Sequence, residues 1–151
     1  MMNGTIGIIG GTGPAGRGVA VRLAKAGYAV SIGSRDAARA SEVVGAMGVP
    51  TEGSIRGVAN DDAAAADVVI VATPWDSAVA TLKALREPLA NKVVISMVNA
   101  LVREGRELVP VYPSRGSMAS QLASTLPSSR IVGAFHHLPA TVDIDRLAEV
   151  P

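Results

Sequence analysis

A seven-residue stretch, Gly10-Gly11-Thr12-Gly13-Pro14-Ala15-Gly16, constrains this chain more than any other feature. It follows the apolar run Ile6-Gly7-Ile8-Ile9 and precedes a helical pattern. Gly11, Gly13 and Gly16 have the spacing G-x-G-x-x-G. At a strand-to-helix turn, that spacing lets backbone N–H groups approach a pyrophosphate, whose charge then sits at a helix N-terminus. A glycine motif alone says little; its place directly after a buried strand makes it informative.

The rest of the chain alternates strands and helices. Strands are expected over 5–9, 29–33, 54–58, 67–72, 92–97 and 130–135. Helices are expected over 15–26, 36–47, 61–66, 76–85 and 117–126. Val19, Leu23 and Ala26, at i, i+4 and i+7, form the inward face of the first helix. Gly27 stops it, and Gly16 and Gly18 let it lie close to a sheet. Asn60 is read as the N-cap of the third helix. The stretch 99–117, with Gly105, Pro110, Pro113 and Gly116, reads as a long irregular loop, and 145–150 begins one more helix.

This alternation predicts an α/β fold: a doubly wound, mostly parallel sheet of six strands in the order 3-2-1-4-5-6, the Rossmann arrangement. Composition agrees. Of 151 residues, 48% are apolar, yet the aromatics are only Trp75, Tyr28, Tyr112 and Phe135, so the core is aliphatic, as in parallel sheets covered by helices. The length suits a single domain over 1–151. A net charge of +1 without a long basic run gives no support for nucleic-acid or membrane-surface binding. With no cysteine, disulfides and thiolate chemistry are excluded. Met1-Met2-Asn3 leads straight into the first strand, and no apolar run is long enough to cross a bilayer, so a soluble cytoplasmic protein is expected.

Ligands bind such sheets at the carboxyl ends of the strands. The unusual segments all lie at those ends: the glycine loop, Ser34-Arg35, Thr73-Pro74-Trp75, 97–101 and His136-His137-Leu138-Pro139-Ala140. They are expected to converge on one cleft. An NAD-binding domain usually carries Asp or Glu about 20 residues after the glycines, to accept from the ribose hydroxyls. Here the residue 19 positions past Gly16 is Arg35, preceded by Ser34. A guanidinium offers forked donors to a 2′-phosphate and stacks on adenine. Arg39 follows one turn later and Thr12 adds a hydroxyl, so NADP(H) is expected over NAD(H). The competing role for Ser34 is to cap the second helix, leaving Arg35 solvated. Asp36, the nearest acid, points into the helix start on this reading.

His136 and His137 are the only histidines, and no Asp, Glu or Cys cluster completes a coordination sphere beside them, so no metal site is expected. They can serve acid–base chemistry, but no lysine or tyrosine stands out as a partner. Trp75 either covers the next helix or walls the ribose and nicotinamide. A site so poor in acid–base groups suits direct hydride transfer between two cofactors, which runs on proximity and orientation.

In Ile9-Gly10-Gly11-Thr12-Gly13, Gly16-x-Gly18, Gly33-Ser34-Arg35, Thr73-Pro74-Trp75 and His136-His137-Leu138-Pro139-Ala140, the chain resembles the F420-dependent NADP reductases. The resemblance implies hydride exchange between NADPH and the deazaflavin coenzyme F420 as co-substrate. Thr12, Gly13, Pro14 and Ala15 would line the pyrophosphate. Ser34, Arg35 and Arg39 would hold the 2′-phosphate. Trp75, Val79, Leu101 and Ala140 would border the ribose or nicotinamide. Leu138 would press the nicotinamide toward the acceptor, with His136 beside it, and neither need donate a proton. Relatives typically continue past the point where this chain stops, and that part helps build the deazaflavin cleft and a dimer. The segment 96–101 also lacks the prolines expected there. Two other readings stay open: an NADPH-dependent reductase of an imine, carbonyl or ferric chelate, and an NADP-binding module without turnover.

Overall fold

The computed structural model describes residues 4–48 and 54–141. Its main sheet is parallel throughout, in the order β3-β2-β1-β4-β5-β8. The strands are β1 (Thr5–Ile9), β2 (Ala29–Ser34), β3 (Ile55–Ala59), β4 (Val68–Val71), β5 (Val93–Ser96) and β8 (Arg130–Gly133). With β8 as the sixth strand of this sheet, the order is the expected one. The crossovers carry α1 (Pro14–Lys25), α2 (Ala37–Ala46), α3 (Asn60–Ala64), α4 (Trp75–Ala84) and α5 (Met118–Thr125). The order reverses beside β1, and this creates the crevice where such sheets take ligands.

Successive strand residues point to opposite faces, so a strand covered on both sides is apolar at every position. Ile8 and Ile70 join Val19, Ala20 and Ala24 of α1 on one face. Ile9, Val69 and Val71 join Ala78 and Leu82 of α4 and Met118 and Leu122 of α5 on the other. Each fully buried Ile, Leu or Val contributes about 1.5–3 kcal/mol relative to leaving it exposed. At Gly7 there is no room for any side chain: the backbone carbonyl of Ala63 occupies the place of a Cβ, so α3 rests directly on β1.

Three local expectations fail. Ala26 is the exposed C-cap of α1 and Leu23 is half-buried. The inward ridge is instead Gly16, Ala20 and Ala24, with Val19 beside it, because close packing on the sheet selects the smallest side chains. The stretch 99–117 is not irregular throughout: β6 (Leu101–Glu104) and β7 (Glu107–Pro110) form an antiparallel hairpin. The last sheet strand stops at Gly133, and Phe135, placed in that strand by the sequence, has φ +67, which no strand residue adopts. The helix expected at 145–150 lies outside the described residues.

Candidate functional site

The carboxyl ends of β1, β2 and β4 surround a cleft of about 460 Å³. Its floor is the turn after β1. Gly10 takes φ +67, a conformation that costs an L side chain steric strain. A Cβ there would also lie 2.6 Å from Cγ2 of Thr73. The Gly10 N–H donates to Oδ1 of Asn60 (3.1 Å) and the Gly11 N–H to the carbonyl of Gly33 (3.0 Å). These two bonds fasten the turn to α3 and β2. Gly16 permits the first turn of α1 to press on the loop, since a Cβ there would lie 2.6 Å from the Cα of Gly11.

The N-terminus of α1 is left open to a ligand. Gly13 is its N-cap and supplies no side-chain oxygen, Pro14 stands at the first turn, and that turn holds no acidic residue. Its free N–H groups and dipole therefore favour an anion. The neighbouring α2 is built differently: Oδ1 of Asp36 accepts from the N–H groups of Ala38 (2.9 Å) and Arg39 (3.3 Å). Asp36, not Ser34, is thus the cap of α2, and the acid nearest Arg35 is committed to backbone donors. Ser34 is buried, and its Oγ accepts from the N–H of Asp36 (3.3 Å).

Arg35 and Arg39 both line the cleft and are exposed. Neither guanidinium has a hydrogen-bond or ion-pair partner among the described residues. Across the cleft from β2 lies the end of β4. There Oγ1 of Thr73 is buried without any hydrogen-bond partner. A buried hydroxyl left unpaired costs about 1–3 kcal/mol, so it marks a position where a ligand atom would be stabilising. The open α1 terminus, the two unpaired guanidiniums and the orphan hydroxyl together fit a phosphorylated dinucleotide.

Of the residues expected at the site, Thr12, Ser34, Arg35, Arg39, Thr73 and Pro74 line this cleft. Gly11, Gly13, Pro14, Ala15 and Gly16 form the turn and helix start beneath it. Trp75 and Val79 pack, half-buried, on the core cluster of Ile9, Val71 and Leu82, which is the packing role open to Trp75. Leu101 is 38% exposed at the base of the hairpin. The last expected segment packs against α1 and does not line this cleft. Leu138 packs on the cluster of Ile8 and Val19, and the carbonyl of Ala140 lies 2.5 Å from where a Cβ of Gly18 would be. His136 and His137 are exposed, and Nδ2 of Asn99 donates to the His136 carbonyl (2.9 Å), joining this segment to the end of β5. The five unusual segments therefore share the carboxyl edge, but only three of them line the cleft. No three His, Cys, Asp or Glu side chains cluster to hold a metal ion among the described residues.

Sequence reasoning missed Asn60, Ser77 and Thr81, which also line the cleft. Asn60 is the first residue of α3 rather than its N-cap, which is Ala59. Its side chain is claimed by Gly10, a partner fifty positions away in sequence that no local rule could reveal. Ser77 and Thr81 lie four apart on α4 and so share one face of that helix, and that periodicity was the available signal.

A family model described as NADP oxidoreductase coenzyme F420-dependent matches residues 5–100. The F420-dependent NADP reductase of Methanocaldococcus jannaschii is 36% identical over 88% of this chain and 63% of the relative. That of Methanothermobacter thermautotrophicus is 35% identical over 90% of this chain and 62% of the relative. A crystal structure from Arthrobacter sp. FB24, provisionally assigned as an F420-dependent NADP reductase, superposes with a TM-score of 0.76 at 27% identity, over 95% of this chain and 68% of that one. This chain thus spans less than two thirds of the length of those two curated relatives. No helix among the described residues is long and apolar enough to cross a membrane. From its first strand to the end of its fifth, the chain belongs to the coenzyme F420-dependent NADP oxidoreductase family.

Proposed function

We propose that this chain is a cytoplasmic oxidoreductase that binds NADP(H) in the cleft and moves hydride between its nicotinamide and coenzyme F420. The observation that carries the NADP half is the pair of guanidiniums, Arg35 and Arg39, unpartnered among the described residues, beside a β2 terminus whose neighbouring acid in the chain, Asp36, is occupied as a helix cap. Ser34, Arg35 and Arg39 hold the 2′-phosphate through charge-assisted bonds. Gly11, Thr12, Gly13, Pro14, Ala15 and Gly16 cradle the pyrophosphate at the α1 N-terminus. Thr73 and Pro74 support the nucleotide from the end of β4. The F420 half is supported by the curated relatives, which are named F420-dependent NADP reductases.

Bound NADPH supplies the hydride. The protein's work is to hold the donor and acceptor rings in register and to keep water from between them. Trp75, Val79, Leu101 and Ala140 border the ribose and nicotinamide on this reading. Leu138 presses the nicotinamide toward the acceptor, with His136 beside it, and no side chain need donate a proton.

The test is dissociation constants for NADPH and NADH with wild type and Arg35→Ala. A charge-assisted phosphate bond is worth about 1.5–3 kcal/mol, so NADPH affinity falls roughly 10- to 100-fold while NADH affinity holds. Equal losses for both would remove the phosphate role. Mixing NADPH with F420 then bleaches the deazaflavin absorbance. NADPH binding without bleaching would leave the nucleotide half and overturn the acceptor.

A further inference from the structure

Beside the phosphate cleft lies a second hollow of about 290 Å³. The two share Ser34, Arg35, Asn60 and Thr81. The smaller one is completed by Ala59 at the end of β3, by Asp61 of α3, by Ala84 of α4 and by Leu85 just beyond it. We propose that this hollow takes the base of the dinucleotide, and that Asp61 selects adenine by accepting a hydrogen bond from its 6-amino group. The proposal rests on the NADP(H) reading above and adds base identity to it.

Three features of the lining carry the inference. First, the hollow opens beside Arg35, so a ligand whose 2′-phosphate meets that residue has its base within reach of this space. Second, its walls combine a guanidinium plane, which stacks on heteroaromatic rings, with the aliphatic surface of Ala84 and Leu85. A planar base is accommodated there; a second phosphate would be desolvated against alanine and leucine.

Third, Arg35 and Asp61 are the only charged residues lining the hollow. Arg35 donates only, and an ionised Asp61 accepts only. The Asp61 carboxylate has no hydrogen-bond or ion-pair partner among the described residues, whereas Asp36 at the neighbouring cleft is spent on α2. Asp62, in the same turn of α3, does not line the hollow. A free acceptor-only group matches the 6-amino group of adenine. It opposes the 6-oxo group of hypoxanthine or guanine, which would set two acceptors against each other.

The experiment compares equilibrium binding of NADPH and of its 6-oxo analogue, nicotinamide hypoxanthine dinucleotide phosphate, by fluorescence titration. Wild type is expected to favour NADPH by roughly tenfold. Asp61→Ala brings the two ligands to within about twofold, chiefly by weakening NADPH. Asp61→Asn also loses the preference, because an amide presents either an acceptor or a donor. Asp62→Asn keeps it. Equal binding of the two ligands by wild type, or a preference that survives both Asp61 variants, would overturn the assignment. The NADPH-to-NADH ratio, measured in parallel, reports the 2′-phosphate and stays unchanged in Asp61→Ala. Loss of that ratio in wild type itself would count against the NADP(H) reading rather than against Asp61.

Discussion

The two ends of the central strands are built to opposite rules. At the amino end, polar groups close on one another. Thr5, opening β1, donates its N–H and its hydroxyl to Oδ2 of Asp67, both at 2.8 Å, and its Oγ1 accepts from the Asp67 N–H at 3.1 Å. Nearby, Nζ of Lys92 donates to the Ala64 carbonyl (2.8 Å), and Oγ of Ser129 donates to that of Leu89 (2.8 Å). At the carboxyl end, the α1 terminus has no side-chain cap, the Thr73 hydroxyl has no partner, and two guanidiniums stand free of partners among the described residues. Satisfied polar groups stabilise; unsatisfied ones are the places where a ligand can add free energy. One sheet thus divides stability and binding between its two edges.

The sharpest way to break this contrast is Gly10→Ala, which forces a methyl onto a left-handed residue and against Thr73. It is expected to cost about 1–3 kcal/mol in a denaturant titration, and to weaken NADPH binding because the turn is displaced. Unchanged stability would mean that the turn is not held as described. Next comes Thr73→Val, which removes the orphan hydroxyl while nearly preserving shape. Stability should rise by about 1 kcal/mol as NADPH affinity drops several-fold, a divergence that melting and binding curves on one sample detect together. Stability and affinity falling together would argue that the hydroxyl already has a structural partner.

The smallest effect is expected at the opposite edge. The backbone N–H of Thr5, then its hydroxyl, hold the Asp67 carboxyl below its ordinary range, with Lys92 adding to them against a burial effect. A folded-state value below the unfolded one means that the unfolded chain binds more protons in acid. The stabilisation is therefore complete above the unfolded aspartate value, about 3.9, and is lost as pH falls through the lower folded value. Asp67→Asn should flatten that acid limb in a pH series of melting curves and leave NADPH affinity unaltered. A change in affinity would show that the two edges communicate.

What the sequence made legible follows from the range of the interactions involved. The β1 turn, the strand order and Ser34-Arg35 rest on local spacing and on the handedness of crossovers, so they could be read without coordinates. Asn60 could not, because its capping chemistry is outcompeted by a distant amide. The hairpin was hidden for another reason. Its two-residue loop, Gly105-Arg106, puts glycine at the first position with φ +62, a known hairpin signal between Leu101-Val102 and Leu108-Val109. The prolines and glycines around it masked that signal. For Trp75, residue identity leaves packing and a ligand wall equally open, and the resemblance alone puts Val79 beside it; position on α4 decides which face they take, and both pack on the core.

The contact between Gly18 and Ala140 joins the first helix to almost the last described residue. Closing so long a stretch of chain carries a large entropic cost, and such contacts reward the chain only after the intervening strands have paired. A probe pair spanning that contact would therefore time the completion of folding. One across β1 and β2 would time its beginning.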